Sequence, residues 1–309
     1  MLAAVLFLVA GAAVLTVGAE AAIRGAGRLA EARRISPFVI GALLFGIDLE
    51  SLGAALVAAG RGQTSIAGGE AFGTVLFLFS VAFGVALLVA PRPVQAPPPN
   101  MVLLPGAALL IGAASIQDRV VTRQEGVLLV AAYACYLVLV VYLDRRAPEQ
   151  RAQEIEREAR EGPPLPWPLL LIGGLVLVYA GATVLVEGGV RILARTSLAA
   201  GFVGGALIGT LASLDEVLLE VIPVLRGTPQ LATGNLLGTA AAFTTGVIGL
   251  AALVRPLQID SAAASAYLAA AVLYTVVAVA FLAWGRAGRA VGVTVIVLYG
   301  LWLAYAARL

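Results

Sequence analysis

GAEAAIRGAGRLAEARRISPFVIGALL, residues 18–44, returns later in the chain as GATVLVEGGVRILARTSLAAGFVGGALI, residues 181–208. The two stretches share glycines, an arginine at matched places (Arg28 and Arg191) and the pairs Phe38-Val39 and Phe202-Val203. Downstream, LVAAGRGQTSIAGGEAFGT, residues 56–74, matches IPVLRGTPQLATGNLLGT, residues 222–239, at a constant offset of 165. Gly, Ala, Leu and Val dominate both copies and produce chance likeness. They do not produce Arg61-Gly62, Gly69 and Gly73-Thr74 again as Arg226-Gly227, Gly234 and Gly238-Thr239. The chain reads as an internal duplication, the common plan of membrane transporters.

Composition names the solvent. Of 309 residues, 61% are hydrophobic and 12% charged, with mean hydropathy +0.99, a balance that belongs in lipid. The twenty basic residues, all arginine, nearly cancel eighteen acidic ones, and the net charge of +2 leaves no footprint for nucleic acid. One cysteine, Cys135, and no histidine exclude a disulfide within the chain and the usual zinc sites, and no cofactor is expected. Residues 1–20 lack the positive leading region of a signal peptide and read as a first spanning helix.

A span needs about 20 mainly apolar residues. Ten such runs fall at 2–23, 36–59, 67–90, 101–117, 124–143, 167–188, 198–225, 230–253, 260–284 and 289–307. The expected fold is therefore all-α and integral to the membrane, with one five-helix unit at 1–143, a charged linker at 144–166 and a second unit at 167–309. An odd number of spans per unit makes the second enter the bilayer from the opposite side, so the repeats are inverted. Loops after the odd-numbered spans hold thirteen of the twenty arginines. The positive-inside rule then puts the linker in the cytoplasm and both termini outside, in a multi-pass cell-membrane protein. APRPVQAPPPN, residues 90–100, reads as a stiff inside loop, and Trp167 and Trp302 as interfacial anchors.

Ile35-Ser36-Pro37, Val39-Ile40-Gly41, a broken acidic helix, the Gly-Asn-x-x-Gly-Thr of residues 234–239 and TRQEGVLLVAAYACYLVLV of the fifth span together resemble the sodium/calcium exchanger family, within the calcium:cation antiporter superfamily. The resemblance covers essentially the whole chain. It implies ten helices in two inverted repeats, with ion sites made by helices 2, 3, 7 and 8 at the midplane.

A charge in the hydrocarbon region costs about 2.5–3.5 kcal/mol on insertion scales and marks function by default. Six carboxylates fall inside the expected spans: Asp48, Glu50, Glu70, Asp215, Glu216 and Glu220. Glu20 and Glu187 lie near span ends and read as structural. The family motif Gly-Thr-Ser-x-Pro-Glu aligns with Leu211-Ala212-Ser213-Leu214-Asp215-Glu216, which retains Ser213 and Glu216. Ser213, Glu216 and Glu220 share one helical face, and Asn235 and Thr239 add neutral oxygens from helix 8. The first repeat departs from this pattern. The offset of 165 sets Ser51 opposite Glu216, a one-residue slip would set Glu50 there, Asp48 takes the place of Ser213, and Glu70 that of Asn235, with Thr74 matching Thr239. Polar positions that the family carries one turn further are Leu78 and Phe243. The motif prolines are missing at both helix breaks, where Gly46 and Gly209 remain to permit unwinding.

Carboxylates with hydroxyl and amide oxygens suit a hard cation such as calcium. The expected activity is secondary cation antiport, calcium against sodium or protons, with the two ions competing for the same carboxylates, Glu216 and either Glu50 or Asp48 at the centre. Another cation (sodium, potassium or magnesium) and a non-transporting scaffold of the same fold are the alternatives. An intramembrane hydrolase using Asp48 and Asp215 lacks a nucleophile motif. The expected partners are transported cations and lipid; the oligomeric state is not legible.

Overall fold

A computed structural model describes residues 2–145, 165–193 and 214–306. The first part holds α1 (Leu2–Arg33), α2 (Pro37–Ile40) running into a π turn at Gly41–Phe45, and α3 (Leu49–Gly60). Next come α4 (Thr64–Phe77), a π turn at Leu78–Ala82, α5 (Phe83–Val89), β1 (Val94–Gln95), α6 (Pro99–Ser115), β2 (Val120–Val121) and α7 (Arg123–Arg145). The second part holds α8 (Trp167–Leu193), α9 (Leu214–Leu225), α10 (Pro229–Ala241), a π turn at Ala242–Val247, α11 (Ile248–Val254) and β3 (Leu257–Gln258). It ends with α12 (Ser261–Trp284), β4 (Arg286–Ala287) and α13 (Arg289–Ala306).

The protein is all-helical, and seven of the described helices are long and apolar enough to cross a membrane. The remaining expected spans are shorter for visible reasons. Span 36–59 is broken at residues 46–48, α6 has 17 residues, and only Leu214–Leu225 of span 198–225 is described. Ser213, Gly209 and the pair Phe202-Val203 lie outside the described residues.

Element bounds recur at the offset that the sequence carries. Leu49–Gly60 and Leu214–Leu225, and Phe83–Val89 and Ile248–Val254, are each displaced by 165, and so are Gly62 and Gly227, both at φ 80. That left-handed backbone favours glycine, which has no Cβ to clash. Two short antiparallel ladders join loops of the two parts, β1 with β4 and β2 with β3.

α1 is longer than expected, running ten residues past the predicted end at residue 23. Its buried face continues through Ala26 and Ala30, so the packing stripe outlasts the hydrophobic run. α1 and α8 lie against each other through glycines. An added Cβ would meet backbone at 2.4 Å from Gly25 (Leu171 N) and from Gly181 (Leu15 N), and at 2.3 Å from Gly174 (Ala22 N). Small residues allow this approach where the hydrophobic effect supplies no drive between helices. The rest of the core is aromatic: Phe72 and Phe79 meet Tyr267 and Tyr274 at ring centroids 4.9 and 5.6 Å apart. Large apolar side chains such as Leu110 and Val138 are exposed on the outer faces, where lipid receives them.

Glu20 is followed by a further thirteen residues of α1, which runs to Arg33. It sits within α1, bonded to Arg226 of α9 at 2.7 Å and to Arg24 at 3.4 Å, ion pairs that fit the structural role expected of it. Asp144, expected to open the linker, closes α7 instead, buried and accepting from Ser36 N at 3.2 Å. Residues 146–164 of the linker lie outside the described residues.

Candidate cation site

Ser36 caps α2, its hydroxyl accepting from Val39 N at 3.3 Å, with Pro37 at the first helical position. α2 and its π turn then lie on α10, backbone on backbone. A Cβ on Gly234 would meet Phe38 O at 2.1 Å, and one on Gly238 would meet Ala42 Cα at 2.6 Å. The helix stops after Phe45, and a Cβ on the next residue, Gly46, would meet Ala42 O at 2.6 Å and Gly238 at 2.9 Å. It restarts at Leu49 with Asp48 as cap, Asp48 Oδ2 accepting from Ser51 N at 3.2 Å. The interruption is thus set by glycine contacts and ended by a carboxylate. The equivalent glycines Gly69 and Gly73 meet no atom of the described residues within 4 Å.

The break opens onto a cavity of about 410 Å³. Asp48, Asp215, Glu216, Asn235 and Thr239 line it on the polar side, and the apolar wall includes Leu78 and, from α8, Ile172, Val176 and Tyr179. Glu216 is half-buried, its Oε2 has no hydrogen-bond partner among the described residues, and it lies in the field of Asp215, Asp48, Glu220 and Glu70. A second polar cluster adjoins it on α3 and α4: Thr74 Oγ1 lies 3.3 Å from Ser51 Oγ and donates to Glu70 O at 3.0 Å, and Ser51 and Asp48 are the polar neighbours of the Glu70 carboxyl. Behind the cavity Glu220 is fully buried, and Asn235 Nδ2 donates to Glu220 Oε1 at 2.9 Å.

Of the residues expected from sequence, Asp48, Asp215, Glu216, Asn235 and Thr239 therefore meet at one cavity, and Ser51, Glu70 and Thr74 form the adjoining cluster. Ser51 stands at the place of Glu216, as the offset of 165 requires. Glu50 lies on α3 with its side chain outside the described set, as does Ser213. No three acids among the described residues are gathered tightly enough to cage a metal ion. Three carboxylates, Asp48, Asp215 and Glu216, line the same cavity, and a cation there would offset their like charge.

The sequence model of the sodium/calcium exchanger protein family matches residues 3–142 and 167–308, nearly the whole chain. The chain belongs to this family. Membership places it among membrane transporters that exchange cations rather than among enzymes. A protein of Alkalimonas amylolytica named "Putative antiporter CaxA" is 30% identical over 274 residues, covering 85% of each chain. The inner membrane protein YrbG of Escherichia coli is 28% identical over 323 residues, covering 98% of this chain and 97% of its own. Among solved structures, the sodium-calcium exchanger NCX_Mj superposes with a TM-score of 0.82 at 21% identity, covering 97% of this chain and 98% of its own.

Within this family fold, two features escaped sequence reasoning. The cavity wall contributed by α8 is apolar and carries no motif, so nothing in its composition distinguishes it from a lipid-facing helix. Buried hydroxyls at Ser80 and Thr245 sit in the π turns and donate to their own backbone at Leu76 O (2.6 Å) and Ala241 O (2.5 Å). Phe243 is fully buried, whereas Leu78 lines the cavity.

Proposed function

We propose that the chain is a secondary antiporter that carries calcium, exchanged against sodium or protons, at a midplane site built on Glu216. The observation that carries this reading is the Glu216 carboxylate: a half-buried group with an orphaned oxygen, at a cavity shared with Asp48 and Asp215 and in the field of three helices' acids. Asp48, Asp215, Glu70 and the hydroxyls of Ser51, Thr74 and Thr239 complete the proposed oxygen set, matching the six to eight oxygens that calcium accepts in flexible geometry. Sodium or protons compete for the same carboxylates, which couples the two fluxes.

Ten spans in two inverted five-helix repeats, 1–143 and 167–309, accompany this reading. The recurrence of helix bounds at 165 supports it, as do the loop ladders that pair the two parts and the matched ranges on either side of the linker. In this topology the linker is cytoplasmic and both termini are outside. Alternating access follows from the glycine-joined pair of α1 and α8 moving against the remaining bundle, since α8 supplies one wall of the cavity.

The test is calcium, sodium, potassium, magnesium and proton flux in proteoliposomes for the parent and Glu216→Gln. Exchange by the parent and its loss in the variant are expected. Equal exchange by both overturns the site. Leu78 and Phe243 favour the other reading, a non-transporting protein of the same fold, and absence of all flux in the parent would establish it.

A further inference from the structure

α12 ends at a left-handed glycine, Gly285 at φ 65, which turns the chain into the β1–β4 ladder. That ladder pairs Val94 with Ala287 and Gln95 with Arg286. A Cβ on Gly288 would lie 3.7 Å from Pro93, so the antiparallel register runs on past the ladder and sets Arg92 beside Arg289, the first residue of α13. Arg92, Arg286 and Arg289 are all exposed, and none is in an ion pair among the described residues. Residues 90–100 and 261–306 contain no acid, so these positive charges have no compensation from the elements that carry them.

The arginines adjoin a groove. α13 is drawn onto α5, where a Cβ on Gly292 would meet Gly84 O at 2.8 Å, and its other flank and α12 leave about 350 Å³ between them. Thr275, Val276 and Val279 of α12, the exposed Trp284, and Val291 and Thr294 of α13 line this groove. Both threonine hydroxyls donate within their own helices, to Ala271 O at 2.8 Å and Ala290 O at 2.9 Å, so the lining demands no polar occupant. From Trp284 to Thr275 the groove extends about 13 Å at 1.5 Å per residue, close to half of the ~30 Å hydrocarbon core. Trp284 marks its interfacial end, next to Arg286 and Arg289.

We propose that groove and ladder together form a site for one anionic phospholipid, an acyl chain lying along α12 and α13 while Arg286, Arg289 and Arg92 hold the negative headgroup at the mouth. Charge complementarity selects this occupant: guanidinium groups present paired N–H donors to phosphate oxygens, and no carboxylate of these elements competes for them. A zwitterionic lipid fills the same groove, but its own positive group offsets the attraction. In the topology proposed above this end faces the cytoplasm, where anionic lipids collect. The ladder β2–β3 offers no equivalent, because Arg119, Arg123 and Arg255 of its loops are balanced by Asp118, Glu125 and Asp260. The inference is independent of which ions the chain carries.

Native mass spectrometry of the full-length protein in detergent tests it, with phosphatidylglycerol and phosphatidylcholine of identical chains titrated against the parent and three variants. The parent is expected to bind one phosphatidylglycerol in preference to phosphatidylcholine, by roughly fivefold per arginine. Arg92→Gln/Arg286→Gln/Arg289→Gln should bind the two lipids alike, Val279→Trp should weaken both by filling the groove, and Arg119→Gln/Arg123→Gln should keep the parent's preference. Should the triple variant not fold, Arg286→Gln and Arg289→Gln singly, each losing about fivefold, decide. Equal binding of the two lipids by the parent, a preference that survives loss of the arginines, or binding indifferent to Val279→Trp overturns the proposal. So does displacement of the lipid by free glycerol phosphate at equal concentration, which would assign the arginines to a soluble anion, or a dimer that Val279→Trp dissociates, which would assign the groove to a second copy of the chain.

Discussion

Gly238→Ala adds one methyl group where α10 touches the segment before the helix break. The new Cβ would lie 2.6 Å from Ala42 Cα, 2.7 Å from Ala42 O and 3.1 Å from Ala42 C, all backbone atoms that cannot rotate away. Ordinary contact begins at 3.4 Å, so the two backbones must part by about 0.8 Å. Overpacking of this kind destabilises by roughly 1–3 kcal/mol. The displaced residues include neighbours of Thr239 on one side and of Gly46 on the other, so exchange should fall with stability. Thermal unfolding in detergent measures the first, and flux in vesicles the second. Gly300→Ala on α13 is the control: no atom lies within 4 Å of its added Cβ, and its unfolding should match or exceed the parent's. If Gly238→Ala unfolds as the parent does, the close approach of α10 to the Pro37–Phe45 segment is wrong.

Further expectations follow from the same geometry. Asp144→Ala strips Ser36 N of its buried acceptor, and leaving such a donor unsatisfied should cost about 1–3 kcal/mol, read by unfolding of the variant beside Asp144→Asn, which keeps an acceptor. Leu78→Asn places an amide oxygen on the cavity wall, and sodium should then inhibit calcium uptake at lower concentration than in the parent; an unchanged inhibition curve would remove Leu78 from the cavity's ion contacts.

The membrane class and the family were legible because both are written in residue type and spacing: apolar runs of spanning length, and motifs such as the Gly-Asn-x-x-Gly-Thr of residues 234–239. The sequence left Ser51 and Glu50 as alternatives opposite Glu216, and the bounds of α3 and α9 keep the offset of 165 that pairs Ser51 with it. Partners that depend on three-dimensional contact were hidden. Glu20 looked peripheral because the apolar run thins after residue 23, whereas small buried residues carry α1 on to Arg33 and bring Arg226 to it. Asp144 looked like the start of a charged stretch, and only the fold supplies the Ser36 N–H that holds it. Glu220 and Asn235 both stood out as polar groups in spans, yet their bond to each other crosses from α9 to α10 and has no signature at a spacing of 15.

The ladders β1–β4 and β2–β3 each clasp a loop from the first half to one from the second. During synthesis, an emerging amino-terminal half has both clasps open until Leu257–Gln258 and then Arg286–Ala287 have left the ribosome. Both clasps therefore close only late in synthesis, after most of the chain has emerged.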